Sequence, residues 1–75
     1  MRQSIRELMI IKILLSKKSH CSDAYDITEL LNHMGYHSTV HQTIKALSNL
    51  RKKGIIIRRW LRTNSQKIRI YCLNR

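Results

Sequence analysis

The sequence contains no proline and no phenylalanine, and it has only two glycines. Disordered and low-complexity chains are usually rich in proline, glycine and polar residues, so this composition disfavours them. The apolar fraction of 43% is ordinary for a globular protein. We therefore expect one domain spanning residues 1–75, too small to enclose the deep substrate cavity of an enzyme.

Acidic residues are also scarce, and they are unevenly placed. Four acids oppose fifteen lysines and arginines, which gives a net charge of +11. All four acids lie in residues 1–37, which carry a net charge of +1, whereas residues 38–75 contain no acid and carry +10. A half-chain charged in this way repels itself unless a polyanion such as DNA, RNA or anionic lipid shares the charge. The acids are too few for paired-carboxylate catalysis, so we expect no catalytic residues and no enzyme activity.

No hydrophobic run is long enough to cross a membrane. The apolar stretch from Met9 to Leu15 is interrupted by Lys12, and a spanning helix needs about 20 residues. No signal peptide is visible, so we expect a cytoplasmic, nucleoid-associated protein without a membrane partner. Cys21 and Cys72 are then expected to be isolated, buried and reduced thiols.

A first helix is predicted from the capping-box spacing of Ser4 and Glu7 to about Lys17. Its apolar residues form a stripe on one side and cover much of the opposite side, and a helix of this kind is buried on most faces. Either its own chain covers it completely, or part of it meets a second subunit. The second interpretation predicts a homodimer interface formed by Ile5, Met9, Ile10 and Ile13.

A second helix is predicted over residues 24–34, where apolar residues recur at helical spacing. Its start remains open between three candidate N-caps, which are Ser22, Asp23 and Asp26. The last of these would leave residues 24–25 as a short strand. Residues 19–22 are predicted to be a linker.

A third helix is predicted from the cap residue Ser38 to Lys53, after a tight turn at Gly35. Its inward residues are expected to be Val40, Ile44, Leu47 and Leu50, with Gly54 in the left-handed stop position. Two helices joined by a short glycine-containing turn are typical of a helix-turn-helix.

The remaining residues change from a helical to a strand pattern. Residues 55–62 are rich in β-branched side chains, residues 67–73 alternate, and a polar segment separates them. This predicts a small α+β fold of three helices followed by a two-stranded β-hairpin. Two inner rows are equally compatible with the last strand: Ile68, Ile70 and Cys72, or Tyr71 and Leu73.

The segment from Leu47 to Ile56, followed by Arg58 and Arg59, resembles the end of the recognition helix and the start of the wing in winged helix-turn-helix regulators of the MarR and PadR types. Residues 23–27 are similar to the second helix of PadR-like proteins, and residues 71–74 are similar to the end of many wings. The resemblance implies a DNA-binding regulator of transcription. Those families usually dimerise through further C-terminal helices, whereas this sequence ends after the wing, which directs attention to the first helix.

The resemblance also implies where DNA would bind, because the second helix of a helix-turn-helix lies in the major groove. Gln42 is expected to pair with adenine, Lys45 with guanine, and Thr39 to offer its methyl group to thymine. The expected recognition-helix contacts are Ser38, Thr39, His41, Gln42, Lys45, Asn49 and Lys52. The expected wing contacts, on the backbone or in the minor groove, are Arg58, Arg59, Arg62, Asn64, Ser65, Gln66, Lys67 and Arg69.

Trp60 is expected to anchor the core or an interface rather than to stack on bases, since no other aromatic residue is close to it in sequence. His33, His37 and His41 are spaced four apart, but Gly35 interrupts the helix that would align them, so we expect no metal. No cofactor and no small-molecule ligand are expected.

These observations favour a sequence-specific, double-stranded DNA-binding repressor that acts as a homodimer on a pseudo-palindromic site. Two alternatives use the same charge. One is a non-specific or architectural binder of DNA or RNA. The other is a winged-helix module that binds an acidic protein partner.

Overall fold

The computed structural model describes residues 4–74. Arg2 and Arg75, counted among the basic residues above, lie outside this range. Three helices and three strands follow one another in the order α1 (Ile5–Ser16), β1 (Cys21–Ser22), α2 (Ala24–His33), α3 (Val40–Lys52), β2 (Ile56–Arg62) and β3 (Lys67–Leu73). The strands form one antiparallel sheet in the order β1-β3-β2. The α+β prediction is confirmed, but the sheet has three strands and not two.

The extra strand, β1, arises in the segment predicted to be a linker. His20 adopts a positive φ of 57°, and its carbonyl oxygen accepts a hydrogen bond from the Leu73 backbone N–H at 2.9 Å. This turn brings β1 alongside β3, with Cys21 opposite Cys72. The interpretation of residues 24–25 as a strand is wrong, since both lie in the first turn of α2. A strand of two residues is too short to show a period of two, so the sequence pattern could not reveal it.

Cys21 and Cys72 are joined by a disulfide bond. The prediction of two reduced thiols is therefore wrong, because the pairing of β1 with β3 places the two residues directly opposite each other. Within residues 4–74, no helix has the length and hydrophobicity needed to cross a membrane.

Helix α1 contributes one face to the core. Ser4 caps it and accepts a hydrogen bond from the Glu7 backbone N–H at 3.1 Å, while the buried Glu7 carboxylate accepts one from Lys53 Nζ at 2.8 Å. Ile10 and Ile13, predicted to lie in a dimer interface, are 0% and 4% exposed and belong to the core of their own chain. That part of the prediction is wrong, because the helix turns these two residues towards α2 and α3. Met9 is partly buried against the same core.

Helix α3 begins one residue later than predicted. Thr39, not Ser38, is the N-cap, and it forms a reciprocal capping box with Gln42. Leu47 and Leu50 are buried as expected, but Ile44 is 40% exposed. Thr43 and Ala46 take the remaining buried positions, so the buried face of α3 is rotated away from the one predicted. Gly54 has a φ of +77° after the helix, which confirms the left-handed stop.

Strands β2 and β3 form the wing. Tyr71 is buried in the core and Leu73 packs against it, so this row, and not the row of Ile68, Ile70 and Cys72, faces the helices. The hairpin turn is closed by the Thr63 N–H, which donates to the Gln66 carbonyl at 2.8 Å. Three helices with a helix-turn-helix followed by this wing make a winged helix-turn-helix fold.

Candidate nucleic-acid interface

A row of buried hydroxyl groups fixes α3 relative to α2. Thr28 Oγ1 on α2 lies 2.8 Å from Thr43 Oγ1 on α3, which lies 3.1 Å from Ser38 Oγ in the turn. Asn32 Nδ2 donates to the carbonyl oxygens of Thr28 and Ser38, at 2.8 and 2.9 Å. Within residues 4–74, every buried side-chain nitrogen and oxygen has a partner. Satisfied buried polar groups of this kind favour a single arrangement of the two helices.

Arg6 connects α1 to the same turn. Its Nε donates to Ser38 Oγ at 3.2 Å, and its guanidinium lies 5.2 Å from the centre of the Tyr36 ring. The Ser38 side chain is only 3% exposed and is bonded to Arg6 and Thr43. This side chain therefore holds the turn and is not free to contact DNA, whereas a phosphate contact through the backbone at this helix start stays a prediction. Sequence reasoning missed this set because its members lie on three separate elements.

The outward face of α3 lies opposite its buried residues. His41, Lys45, Ser48 and Lys52 follow one another at intervals of four, three and four residues, which places them along one side of the helix. Three of these side chains are exposed and Ser48 is half-buried. This face presents two ammonium groups and an imidazole at the surface of the helix-turn-helix.

Gln42 and Asn49 lie to the side of that face. With Lys45, they line a shallow groove that is also bordered by Ser4 and Arg6 of the α1 region. The Gln42 Oε1 accepts a hydrogen bond from the Thr39 backbone N–H at 3.1 Å. A two-bond contact to adenine needs both polar atoms of the amide, so Gln42 would have to leave its capping position to make one.

The wing has two chemically different faces. Residues directly opposite in an antiparallel pair point to the same side of the sheet, and the register pairs Arg58 with Tyr71, Trp60 with Arg69 and Arg62 with Lys67. Because Tyr71 packs against the helices, this whole row lies on the helix side. We call it the basic face of the wing, consisting of Arg58, Trp60, Arg62, Lys67 and Arg69.

The opposite face of the wing is mostly apolar. Arg59 lies there, opposite Ile70, together with Ile57, Leu61 and Ile68. The eight wing residues predicted to contact DNA are thus divided: four are on the basic face, Arg59 is on the apolar face, and the remaining three, Asn64, Ser65 and Gln66, form the tip. Every residue from 58 to 67 is exposed.

Three of the four acidic residues, Glu7, Asp23 and Asp26, are used inside the fold. Within the described chain, the ion pairs are Lys53–Glu7 at 2.8 Å and Lys17–Asp26 at 2.6 Å. Hydrogen bonds from Lys17 and then Ser22 lower the pKa of the Asp26 carboxyl below its ordinary value. The Asp23 carboxylate caps α2, accepting from the Asp26 backbone N–H at 2.7 Å. Within residues 4–74, neither ion pair uses a cation of the α3 outward face or of the wing.

The histidines do not assemble into a metal site. Over residues 4–74, no three His, Cys, Asp or Glu side chains come together in a way that could hold a metal ion. His33 ends α2, His37 follows the turn and His41 lies on the outward face of α3.

Among the comparisons with known proteins, the one with solved structures supports the fold. No family model matches the chain, and no curated protein matches it. Among solved structures, Stf76 from the Sulfolobus islandicus plasmid-virus pSSVx superimposes with a TM-score of 0.75 at 24% identity, over 96% of this chain and 84% of Stf76. PadR of Bacillus subtilis in complex with operator DNA superimposes with a TM-score of 0.76 at 18% identity, over 96% of this chain and 41% of PadR. The chain therefore spans less than half of the PadR chain, and the likeness to both proteins is one of fold.

Proposed function

We propose that this protein is a double-stranded DNA-binding regulator of transcription. One observation carries the proposal: the outward face of α3 and the basic face of the wing are both rich in cations, and the two ion pairs of the described residues use none of these cations. The PadR structure that shares this fold is a complex with operator DNA, which supports the same type of partner here. The proposal assigns sequence recognition to α3 and most of the phosphate contacts to the wing.

Helix α3 has the chemistry needed to read base edges. A major groove accepts one α-helix, and Lys45 at the centre of the outward face can donate to the O6 and N7 acceptors of guanine. His41, one turn earlier, can donate or accept. The N-terminal backbone N–H groups of α3 and the helix dipole favour a phosphate beside Thr39. The arginines of the basic face then contact phosphates, which supplies affinity and register rather than sequence choice.

We further propose that two copies bind together, through the outward face of α1. Ile5, Leu8 and Leu15 are 65%, 52% and 55% exposed and lie on one side of that helix. A two-fold axis across α1 makes the contact self-complementary, and it presents two recognition helices to a pseudo-palindromic site. Repression follows if the occupied site overlaps a promoter, since bound protein then excludes the polymerase.

An unbiased selection of bound duplexes from a random library tests sequence specificity. We expect a consensus with two inverted half-sites about one DNA turn apart. Recovery of random sequences would contradict specificity and favour a non-specific or architectural binder. Preferential retention of RNA over duplex DNA would contradict the assignment to double-stranded DNA.

The salt dependence of affinity tests the role of charge. If about 6–10 phosphates are contacted, affinity should fall about 10³–10⁵-fold between roughly 50 and 200 mM salt. A nearly constant affinity would contradict binding by the basic face. Failure to bind any nucleic acid at low salt would favour a protein-interaction module.

A further inference from the structure

A shallow groove of about 360 Å³ lies between the wing on one side and the start of α2 and Ile44 of α3 on the other. Its lining is unusual for a basic surface, because it combines apolar and cationic side chains. Ile44 of α3 and Tyr25 of α2 border it on the helical side, and Trp60, Lys67 and Arg69 border it on the wing side. Ile44, Tyr25 and Trp60 are 40%, 73% and 59% exposed, so apolar surface remains open beside the two cations of the wing, Lys67 and Arg69.

Trp60 is held in place although it is exposed. It lies opposite Arg69 on the basic face of the wing, and the Arg69 guanidinium is 5.0 Å from the centre of its ring. Such a cation–π contact orients both side chains. A core position for Trp60 is therefore wrong, whereas the alternative role of an interface anchor stays a prediction. Trp60 pairs with Arg69 and is therefore nearer to the tip of the wing than Tyr71, which packs against the helices. This part of the wing protrudes from the core.

We propose that the sugar–phosphate backbone of one DNA strand lies in this groove, with deoxyribose rings against Trp60 and Ile44 and the phosphates beside Arg69 and Lys67. The inference rests on the proposed function. If α3 enters the major groove and the wing reaches the adjacent minor groove, the strand between the two grooves must pass between α3 and the wing.

The chemistry of the groove matches a nucleic-acid backbone. A DNA strand alternates a sugar with an anionic phosphate, and the groove is lined by apolar side chains together with the cations Lys67 and Arg69. One acid, Asp23, also borders the groove. Its carboxylate accepts the Asp26 N–H at the start of α2, so it is directed into that cap.

The fluorescence of Trp60 provides a direct test, because it is the only tryptophan in the chain. A fluorescein-labelled duplex of about 20 base pairs is titrated at low salt, with labelled-DNA anisotropy and tryptophan emission followed separately. We expect the emission to change in intensity and wavelength in parallel with anisotropy, and to recover when salt is added. Saturating anisotropy with unchanged emission would overturn the groove assignment while leaving DNA binding intact. No anisotropy change would instead overturn the proposed function.

A matched control moves the indole to the other face. Leu61 is the next residue, is 49% exposed and lies on the apolar face of the wing. In the double variant Trp60→Leu with Leu61→Trp, we expect emission to stay constant while DNA still binds. An equal emission change in this variant would show that the signal does not report the groove, and would overturn the assignment.

Measurements of duplex affinity at several salt concentrations distinguish the contribution of the apolar side chain Trp60 from that of the cation Arg69. Trp60→Ala should weaken duplex binding about tenfold without changing the salt slope, since no charge is lost. Arg69→Ala should weaken binding and reduce the magnitude of the slope of log K against log salt by about 0.9. Leu61→Ala is the control and should leave both quantities unchanged. Far-ultraviolet circular dichroism of each variant confirms that the fold is retained.

Single-stranded DNA distinguishes sugar packing from base stacking. If Trp60 were a platform for unpaired bases, single strands would bind more tightly than the duplex, and Trp60→Ala would weaken only that binding. This outcome would overturn the proposal. We expect tighter binding of the duplex and a loss on the duplex when Trp60 is removed.

Discussion

Lys45 is the residue for which we propose the most direct contact with a base. It is exposed at the centre of the outward face of α3, whereas Gln42 is partly engaged in the cap of the helix. Ser38, one residue before the cap, is buried in the hydroxyl row. Three polar residues near one helix start therefore have three different roles, which depend on burial rather than on residue type.

Replacement of Lys45 by alanine should relax base preference at one position of each half-site. Loss of a two-bond contact to guanine costs about 1–3 kcal/mol of discrimination. The measurement is a repeat of the random-duplex selection with the variant protein. Lys18→Ala is a suitable control, because Lys18 is also an exposed lysine but follows α1, away from the outward face of α3. A consensus identical to that of the unmodified protein would refute base reading by Lys45.

Asp26 makes the stability of the fold sensitive to acid. Its pKa is lowered in the folded state, first by the hydrogen bond from Lys17 and then by that from Ser22, so protonation is harder in the folded chain than in the unfolded one. The contribution is complete above the ordinary carboxyl pKa of 3.8 and is lost as pH falls through the lowered folded value. The side chain is 40% exposed, so we expect less than about 1 kcal/mol.

The measurement for Asp26 is urea unfolding at several pH values between about 2 and 7. The variant Asp26→Asn should be less stable than the unmodified protein near neutral pH, and the difference should shrink in acid. Glu29→Gln is the control, because Glu29 is exposed and is outside both ion pairs. A difference that persisted unchanged at low pH would contradict a charge-dependent role.

At the scale of elements, the register of the wing places neighbouring residues on opposite faces of the sheet. Arg58 and Arg59 are adjacent, exposed and equally charged, but only Arg58 lies on the face that turns towards the helices. The sequence predicted DNA contacts for both, since a pattern of charges alone does not say which side of a strand is inward. Tyr71 decides it, because its burial fixes the row that faces the core.

This division yields a matched pair of substitutions. Arg58→Ala should weaken binding to all duplexes alike and lower the magnitude of the salt slope by about 0.9, as expected for loss of one phosphate contact. Arg59→Ala should change neither quantity appreciably. Fluorescence anisotropy at several salt concentrations measures both. Equal losses for the two variants would contradict the assignment of DNA to the basic face.

Helix α1 carries the proposed dimer contact on the side opposite the core. Leu8→Glu with Leu15→Glu should convert the dimer into a monomer, since charges would replace exposed apolar groups at the interface, while thermal stability of the monomer stays similar. Analytical ultracentrifugation measures the mass, with Lys18→Glu as the control for added negative charge. If the unmodified protein is already monomeric at the concentrations that bind DNA, the proposed dimer is wrong.

At the scale of the whole molecule, the disulfide joins the start of the helix-turn-helix to the wing. The bridge links β1, which directly precedes α2, to β3 across 51 residues of sequence. The domain is small and its core draws on all three helices and the sheet, so we expect a covalent link between β1 and β3 to contribute a large share of its stability. It also holds the wing close to the helices that position α3.

Reduction should therefore lower the thermal unfolding temperature substantially. Closing a loop of this length is worth about 4 kcal/mol in the chain-entropy model, and dithiothreitol removes that contribution. Differential scanning calorimetry with and without the reductant measures the shift. The double variant Cys21→Ser with Cys72→Ser is the control, and its unfolding temperature should not respond to dithiothreitol. An unmodified protein that is equally insensitive would contradict a stabilising bridge.

The dimensions of the chain also bear on how it binds DNA. Its longest extent is 38 Å, and successive half-sites on one face of DNA lie about 34 Å apart. If the proposed function holds, one copy would cover about one half-site. Recognition of a complete pseudo-palindrome requires a second copy, which is what the exposed face of α1 would provide.

Amino-acid patterns alone determined the parts of this protein that depend on near neighbours. The three helices, the glycine stop at Gly54, the hairpin and the concentration of charge in residues 38–75 all follow from short-range spacing and composition. These features do not depend on how the elements pack, because helix and strand periodicity can be read from short stretches of sequence and net charge from composition. The winged helix-turn-helix architecture was therefore predictable.

Tertiary structure alone decided which side chains are free. The pairing of β1 with β3, the Cys21–Cys72 bridge, the burial of Ser38 and the exposure of Ile44 and Trp60 all depend on contacts between elements distant in sequence. A helix or strand pattern gives the period of the apolar residues. It does not say which face of the element is buried, to within one residue of a strand or a fraction of a helical turn. Packing against the core decides that face, and with it the side chains that can reach DNA.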